Sequence, residues 1–470
     1  MNRGLLPVIL VLLGAVTASA QVVSPDSLAV AAADSVPARW GEIPPRNPSS
    51  TALFVQPPRP DWEAALMPVY HTLGLPFRAL HFLGDQTVTG LDKMGFFDLP
   101  PAEYPGLPGP FYTFIMPIFA IESLEGTTFG LEVLRPDFFG AGNLLQVKVS
   151  TTTRQARMAG FGLFFPMGPT WDLQVGTGSE EIQTVRYYGL GPESVHGDKS
   201  FYYRRAGWSG FELDRDIGAK FALGLRTVWS RVRAREPTFE VHQSLATVHG
   251  DDLPPGYPGE SSGWTLRLAI KRDTTRQRAR PESGSFGSAG FSFFEDSDGS
   301  GLAYTQYRFE YERFFPLWHT KRTLAVRGFY NRIHNRGTAE VPFTRMVTFT
   351  SPDELRGFQS LRFYGLGTLG VNLEYRWPIW NSRNREGPGI DAYLFSDDGQ
   401  VFMDSHEIAW NNIQFSGGVG LRLLGDGGGF TALAEMGWSD EEPIYRLKFN
   451  QNFQDNRKVM YEVKDPTRYR

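Results

Sequence analysis

The sequence predicts an all-β protein: a 16-stranded antiparallel transmembrane β-barrel behind a short, partly helical N-terminal periplasmic segment. Three observations carry that prediction. Apolar and polar residues alternate with period two, run after run, from Phe111 to Phe453. The runs are about as long as a tilted strand needs to cross a bilayer, ~9–11 residues. The connections between them segregate by length. Composition agrees, since 51 Gly, 33 Pro and 14% aromatic residues suit many strands joined by turns.

The first residues, MNRGLLPVILVLLGAVTASAQ, read as a secretory signal over 1–20. Arg3 supplies the positive end, Leu5 to Val16 the apolar run, and Ala18-Ser19-Ala20 the small residues of a cleavage site. The run is short for an anchor helix. The chain contains no cysteine, which excludes a lipoprotein anchor, a disulfide scaffold and any thiolate nucleophile or metal site. After residue 20 nothing approaches the ~18 consecutive apolar residues of a membrane-spanning helix. Residues 21–61, with EIPPRNPSS and VQPPRPDW, read as a proline-rich linker. Residues 62–110 read as short amphipathic helices and a proline-rich joint. Leu66, Val69, Leu73, Phe77, Leu80 and Leu83 form an apolar stripe broken by Pro68 and Pro76, before LPPAEYPGLPGP.

The barrel is expected over 111–453. In 217–229, Ile217, Phe221, Leu223, Leu225 and Trp229 alternate against Lys220 and Arg226. In 264–271, Trp264, Leu266, Leu268 and Ile270 oppose Thr265, Arg267 and Lys271. In 303–312, Thr305, Tyr307, Phe309 and Tyr311 oppose Gln306, Arg308, Glu310 and Glu312. The runs 368–379 and 413–423 behave likewise, with Asn372, Glu374, Arg376 and Arg422 on their polar faces. A soluble sandwich also alternates, but with strands nearer ~5–6 residues. Full charges on one face of strand after strand suit a wet lumen with lipid outside. Short connections (LDRDIG, FFPLWHTK, WPIWNSRNREGPG, LGDGGG) alternate with long ones at 179–200, 234–262, 333–365 and 399–411. That parity fits an even barrel whose two ends face the periplasm.

The longest loop ends in LRGFQSLRFYG, followed by GTLGVNLEYRWPI and FSDDG. This order of motifs resembles the BamA/TamA-like (bacterial surface antigen) superfamily of outer-membrane assembly and translocation proteins. The family carries a (V/I)-R-G-(F/Y) tip on a sixth outer loop that folds back into the lumen; Arg356, Gly357 and Phe358 match it, with Leu355 a departure in first place. Its F-x-D-x-G signature on strand thirteen falls on Phe395, Asp397 and Gly399, and its strand-twelve acid on Glu374. RDTTRQRARPESGSF resembles its periplasmic turn and YYGLGPES its strand-five glycine pattern. Alternation puts Glu374, Asp391 and Asp397 on the lumen face. A guanidinium in a partly desolvated lumen is best held by planar carboxylates that accept paired hydrogen bonds. Arg356 is therefore expected to face Asp397 and Glu374, with Gly357 letting the tip turn sharply and approach the wall, so that the loop acts as a latch.

At the other end, IYRLKFNQNF sets Tyr445, Leu447, Phe449 and Phe453 outward, and resembles the terminal-strand signal read by the barrel-assembly machinery. A polar tail, 454–470, follows it. Family members that insert or export proteins carry periplasmic POTRA domains with a mixed α/β pattern. Residues 21–110 show no such pattern, so the chain reads as a POTRA-less member with an outer-membrane or periplasmic protein partner in place of those domains. A formal charge of −4 gives no case for nucleic acid. The scattered histidines show no metal-ligand spacing and the serines no nucleophile elbow, so no enzyme activity, metal or cofactor is expected. The expectation is a role in outer-membrane biogenesis, in contact with outer-membrane lipid: insertion, translocation or surface delivery of protein or lipid. The alternative is a passive outer-membrane diffusion pore.

Overall fold

The computed structural model describes residues 113–451 apart from 123–125, 140–142, 155, 239–242, 276–280, 318–321, 350–353, 382–388 and 425–429. The expected signal, linker, amphipathic helices and polar tail, together with Phe453, lie outside the described residues.

Sixteen strands follow one another around a closed antiparallel barrel. They are β1 (Phe114–Glu122), β2 (Gly126–Pro136), β3 (Leu144–Thr152), β4 (Arg157–Pro166), β5 (Trp171–Tyr187), β6 (Ser200–Ile217), β7 (Phe221–Arg235) and β8 (Gly259–Asp273). The second half comprises β9 (Gly284–Asp296), β10 (Ala303–Leu317), β11 (Arg322–Asn335), β12 (Gly367–Asn381), β13 (Gly389–Phe402), β14 (Gln414–Leu424), β15 (Phe430–Trp438) and β16 (Ile444–Gln451). Every strand pairs with the next in sequence, and β1 closes the ring on β16. Among the described residues that seam is narrow: Ala120 lies opposite Lys448 and Ile121 opposite Leu447.

Period two explains the walls. On β8, Trp264, Leu266, Leu268 and Ile270 are 52, 41, 48 and 45% exposed. So much contiguous apolar surface is tolerable only where the solvent is hydrocarbon. Away from the β1–β16 seam, both backbone edges of the strands are paired along the wall, as a spanning segment in lipid requires.

Strand length departs from expectation. β1 to β4 run 9–11 residues, but β5, β6, β7 and β8 run 17, 18, 15 and 15. The extra residues form an upper storey with inverted polarity. Low on β7 the outward residues are Phe221 and Leu223, whereas at its outer end Arg231, Arg233 and Arg235 face out and Val232 and Ala234 are buried inside. The cause is the connection 336–366, which turns inward and supplies a core for the upper wall. Phe343, Met346, Val347, Leu361 and Tyr364 from this loop pack with Val185, Tyr202, Phe294 and Ile333 from the strands. Within the loop, Val347–Thr348 pairs with Tyr364–Gly365 as a two-stranded ribbon. A guanidinium pins its stem: Arg345 donates to Ser230 Oγ (2.8 Å) and Ser261 Oγ (3.0 Å) on β7 and β8.

Candidate functional site

Strands β12 to β15 bring the inward groups of the site together through their register. Asn372 on β12 lies opposite Asp397 on β13, which lies opposite Ser416 on β14. Two residues lower, Glu374 lies opposite Phe395, and Phe395 opposite Gly418. The absence of a side chain at Gly418 lets the Phe395 ring lie flat along the wall; a Cβ there would stand 2.3 Å from it. Gly420 does the same for the ring of Tyr393. Gly399 completes the inward face of β13, with the Phe349 ring of the long loop 3.0 Å from where its Cβ would be. The F-x-D-x-G spacing therefore has a physical reason. Its three residues are successive inward positions of one strand: a ring, a carboxylate and a gap that admits the loop.

Into this patch the loop inserts Arg356, with its side chain 5% exposed against an Asp397 that is fully covered. Nε donates to Asp397 Oδ2 at 2.8 Å and Nη2 to Oδ1 at 2.8 Å, a two-point fork. The backbone N–H of Arg356 also donates to Oδ2, at 2.9 Å. Nη1 donates to Glu374 (3.2 Å) and lies 3.5 Å from Glu435 on β15. The guanidinium carbon is 3.8 Å from the centre of the Phe395 ring. Burial by itself would weaken the proton's hold on the guanidinium, but the hydrogen bonds from Asp397 and the charges of Asp397, Glu374 and Glu435 outweigh it and hold the group above its ordinary pKa. Asp397 is further fixed by Asn372 Nδ2 (2.8 Å), while Glu374 accepts from Arg376 (2.8 Å) and Glu435 from the Tyr393 hydroxyl (2.6 Å). Asp391, lower on the same face, is 3.5 Å from Arg422 and outside the Arg356 cluster.

Of the two needs expected at Gly357, a sharp turn and a close approach to the wall, the geometry shows the close approach. It is not among the glycines with positive φ. What it requires is proximity: a Cβ would stand 2.5 Å from both Ser416 Cβ and the Trp438 carbonyl oxygen. Its carbonyl accepts from Ser439 Oγ (2.9 Å). Phe358 is buried with Leu355, Phe363, Phe349, Phe329 and Val401, its ring edge-on to Phe363 at 5.2 Å. Its carbonyl accepts from Arg446 on β16 (3.3 Å).

Several members of this site were not anticipated. Glu435 was legible, as the single acid on the inward face of TALAEMGW. Others belong to loop–loop contacts that leave no periodic trace. Gln359 bonds Arg186 and Glu442, and Arg362 donates to Glu441 (2.6 Å) and to Ser194 Oγ (2.9 Å). Of the terminal-strand residues, Tyr445 is 63% exposed outward. Leu447 pairs with Ala434, and Phe449 pairs through its backbone with Ala432.

Comparison with known proteins follows the geometry. Residues 127–426 match the family model described as the Omp85 superfamily domain. Among solved structures, the chain is similar to BamA from Haemophilus ducreyi lacking POTRA domains 1–3, with a TM-score of 0.53 and 14% identity over 72% of this chain and 69% of that one. It is similar to CdiB from Escherichia coli at TM-score 0.50 and 10% identity, over 73% of this chain and 64% of that one. For CdiB from Acinetobacter baumannii the values are 0.47 and 14%, over 72% and 59%. The chain thus spans less than two thirds of either CdiB, and these likenesses are likenesses of fold. No curated protein matches it in sequence.

Proposed function

The chain belongs to the Omp85 superfamily, and from that premise we propose that it acts in outer-membrane biogenesis, assisting the insertion, translocation or surface delivery of protein or lipid. In this reading a separate outer-membrane or periplasmic protein supplies what POTRA domains supply elsewhere in the family, and the barrel works without catalysis. The sixth outer loop is its latch. Arg356 holds the tip inside the wall on Asp397, Glu374 and Glu435, and the narrow β1–β16 seam is the part of the wall that yields. The observation that carries the proposal is the inward seating of Arg356 on three carboxylates from three strands. The alternative, a passive diffusion pore, expects steady conductance that does not depend on the seating of Arg356.

The test is complementation of a deletion strain with Arg356→Ala, alongside single-channel recording of the purified barrel. An assembly role expects low, erratic conductance in the parent chain. It also expects a variant that reaches normal outer-membrane levels but fails to restore the surface proteome and glycolipid. Steady, open conductance in the parent chain, with full complementation by the variant, would establish the pore instead.

A further inference from the structure

The outer end of β4 and the upper storey of β5 to β8 turn a row of arginines toward the membrane. Successive pairings place Arg157, Glu181, Arg205, Arg233 and Glu260 directly opposite one another across five strands. Arg231 sits one outward position lower, opposite Gly207 and Ser262, and Arg235 one higher, with its guanidinium 4.3 Å from the Tyr203 ring. Arg231 and Arg233 are 58 and 56% exposed. Three carboxylates share this band. Glu260 bonds Arg231 at 2.5 Å and lies 3.8 Å from Arg233, Glu181 accepts from Gln183 at 3.0 Å, and Asp298 accepts from Ser262 N–H and Oγ at 3.2 Å. Five guanidinium groups against three carboxylates leave the band positive.

Its height is set by the chain. On β6 the outward arginines are Arg215, one outward position above Ile217 at the short-turn end, and Arg205 higher up. At ~3.3 Å per residue and a tilt of ~40°, that separation spans ~25 Å of height. This matches the ~25 Å apolar belt of outer-membrane barrels. Arg205 therefore stands where hydrocarbon gives way to headgroups, in the leaflet away from the short turns, and Trp229 lies opposite Trp264 just below, at girdle level.

Directly beneath the arginines the belt is hollow. A depression of about 800 Å³ is walled by Leu173, Val175, Phe211, Trp229 and Trp264, and floored by Ser209 and Gly210. It is open toward the membrane, and Ser209 is the small outward residue at its base.

We propose that this face seats a multiply phosphorylated, multiply acylated glycolipid of the outer leaflet, its phosphates on Arg205, Arg231 and Arg233 and an acyl chain in the hollow. The hollow faces hydrocarbon, so its occupant is an acyl chain and not a soluble ligand. The fork of arginine suits phosphate oxygens better than a zwitterionic headgroup. The outermost arginines of the row, Arg157 on β4 and Arg233 on β7, stand three inter-strand spacings apart, ~14 Å, which is wider than one phosphate and matches a broad sugar headgroup carrying more than one. The inference rests on the barrel lying in an outer membrane and is independent of what the sixth loop does.

The experiment is native mass spectrometry of the full chain released from detergent micelles, with bis-phosphorylated lipid A, its dephosphorylated form, phosphatidylcholine and inorganic phosphate as probes. Lipid A should be retained at least tenfold better than phosphatidylcholine and should resist displacement by inorganic phosphate. Arg205→Ala with Arg233→Ala should weaken it about thirtyfold, and dephosphorylation of the lipid should do the same to the parent chain. Ser209→Phe, which fills the hollow and leaves every arginine in place, should weaken it separately. Equal retention of lipid A and phosphatidylcholine, or indifference to dephosphorylation, overturns the phosphate seat. Indifference to Ser209→Phe overturns the acyl seat. Should the double arginine variant lose the gel shift of a closed barrel, the dephosphorylated probe and Ser209→Phe decide the matter in its place.

Discussion

Replacing Arg356 by alanine removes the 2.8 Å fork to Asp397, the 3.2 Å bond to Glu374 and the 3.5 Å approach to Glu435. Hydrogen bonds to charged groups contribute ~1.5–3 kcal/mol each, and breaking a buried ion pair from one side costs ~3–5 kcal/mol. The remaining partners soften that loss. Asp397 keeps the backbone N–H of residue 356 and Asn372, Glu374 keeps Arg376, and Glu435 keeps the Tyr393 hydroxyl. We therefore expect ~2–4 kcal/mol, taken from docking of the tip and not from the barrel, whose strand pairings do not involve the loop. That is about 30- to 1000-fold more time undocked. Hydrogen exchange measures it directly. The amides of Arg356, Gly357, Phe358 and Arg362 are all bonded in the docked tip, so exchange across 354–363 should accelerate by that factor while β6 to β8 stay protected. Arg356→Lys, which keeps charge and loses the fork, should fall between. Unchanged protection of 354–363 in a folded Arg356→Ala barrel would refute the docking role of the guanidinium.

Gly357→Ala should undock the tip with every charge intact, because its Cβ would stand 2.5 Å from the Trp438 carbonyl oxygen; the same exchange measurement checks it. Arg362→Ala should loosen three loops at once, since one side chain joins 336–366 to Glu441 and Ser194, and faster exchange confined to 354–363 would contradict this. Burial pushes the Tyr188 hydroxyl up to about 12 against the opposing charges of Arg186 and Arg362, and the hydroxyl lies 3.2 Å from Gln359 Oε1. A raised folded pKa means its contribution is full below pH ~10 and is lost as pH climbs toward 12. Tip exchange should therefore accelerate over that alkaline window in the parent chain and lose this component in Tyr188→Phe.

The one-dimensional pattern determined whatever repeats along a single strand. Alternation in 264–271 or 303–312 settles which side chains meet lipid and which meet the lumen, because a strand's faces follow from residue parity alone. The resemblance of the motifs to the family pointed Arg356 at Glu374 and Asp397, which alternation alone puts on the lumen faces of two strands adjacent in sequence. The tertiary structure decided what depends on register between strands and on where loops return. Glu435 reaches Arg356 because β13, β14 and β15 are staggered to bring them level, and parity within one strand carries no information about stagger. The inverted upper storey follows from the inward fold of 336–366: RVRAR at 231–235 alternates as well as any lower run, but only a covered inner face makes its arginines the outward set. Gly357 teaches the same lesson at one residue. A close approach to the wall is expected there, but which wall atoms it meets, Ser416 and Trp438 on two strands distant in sequence, is decided only once the barrel is folded.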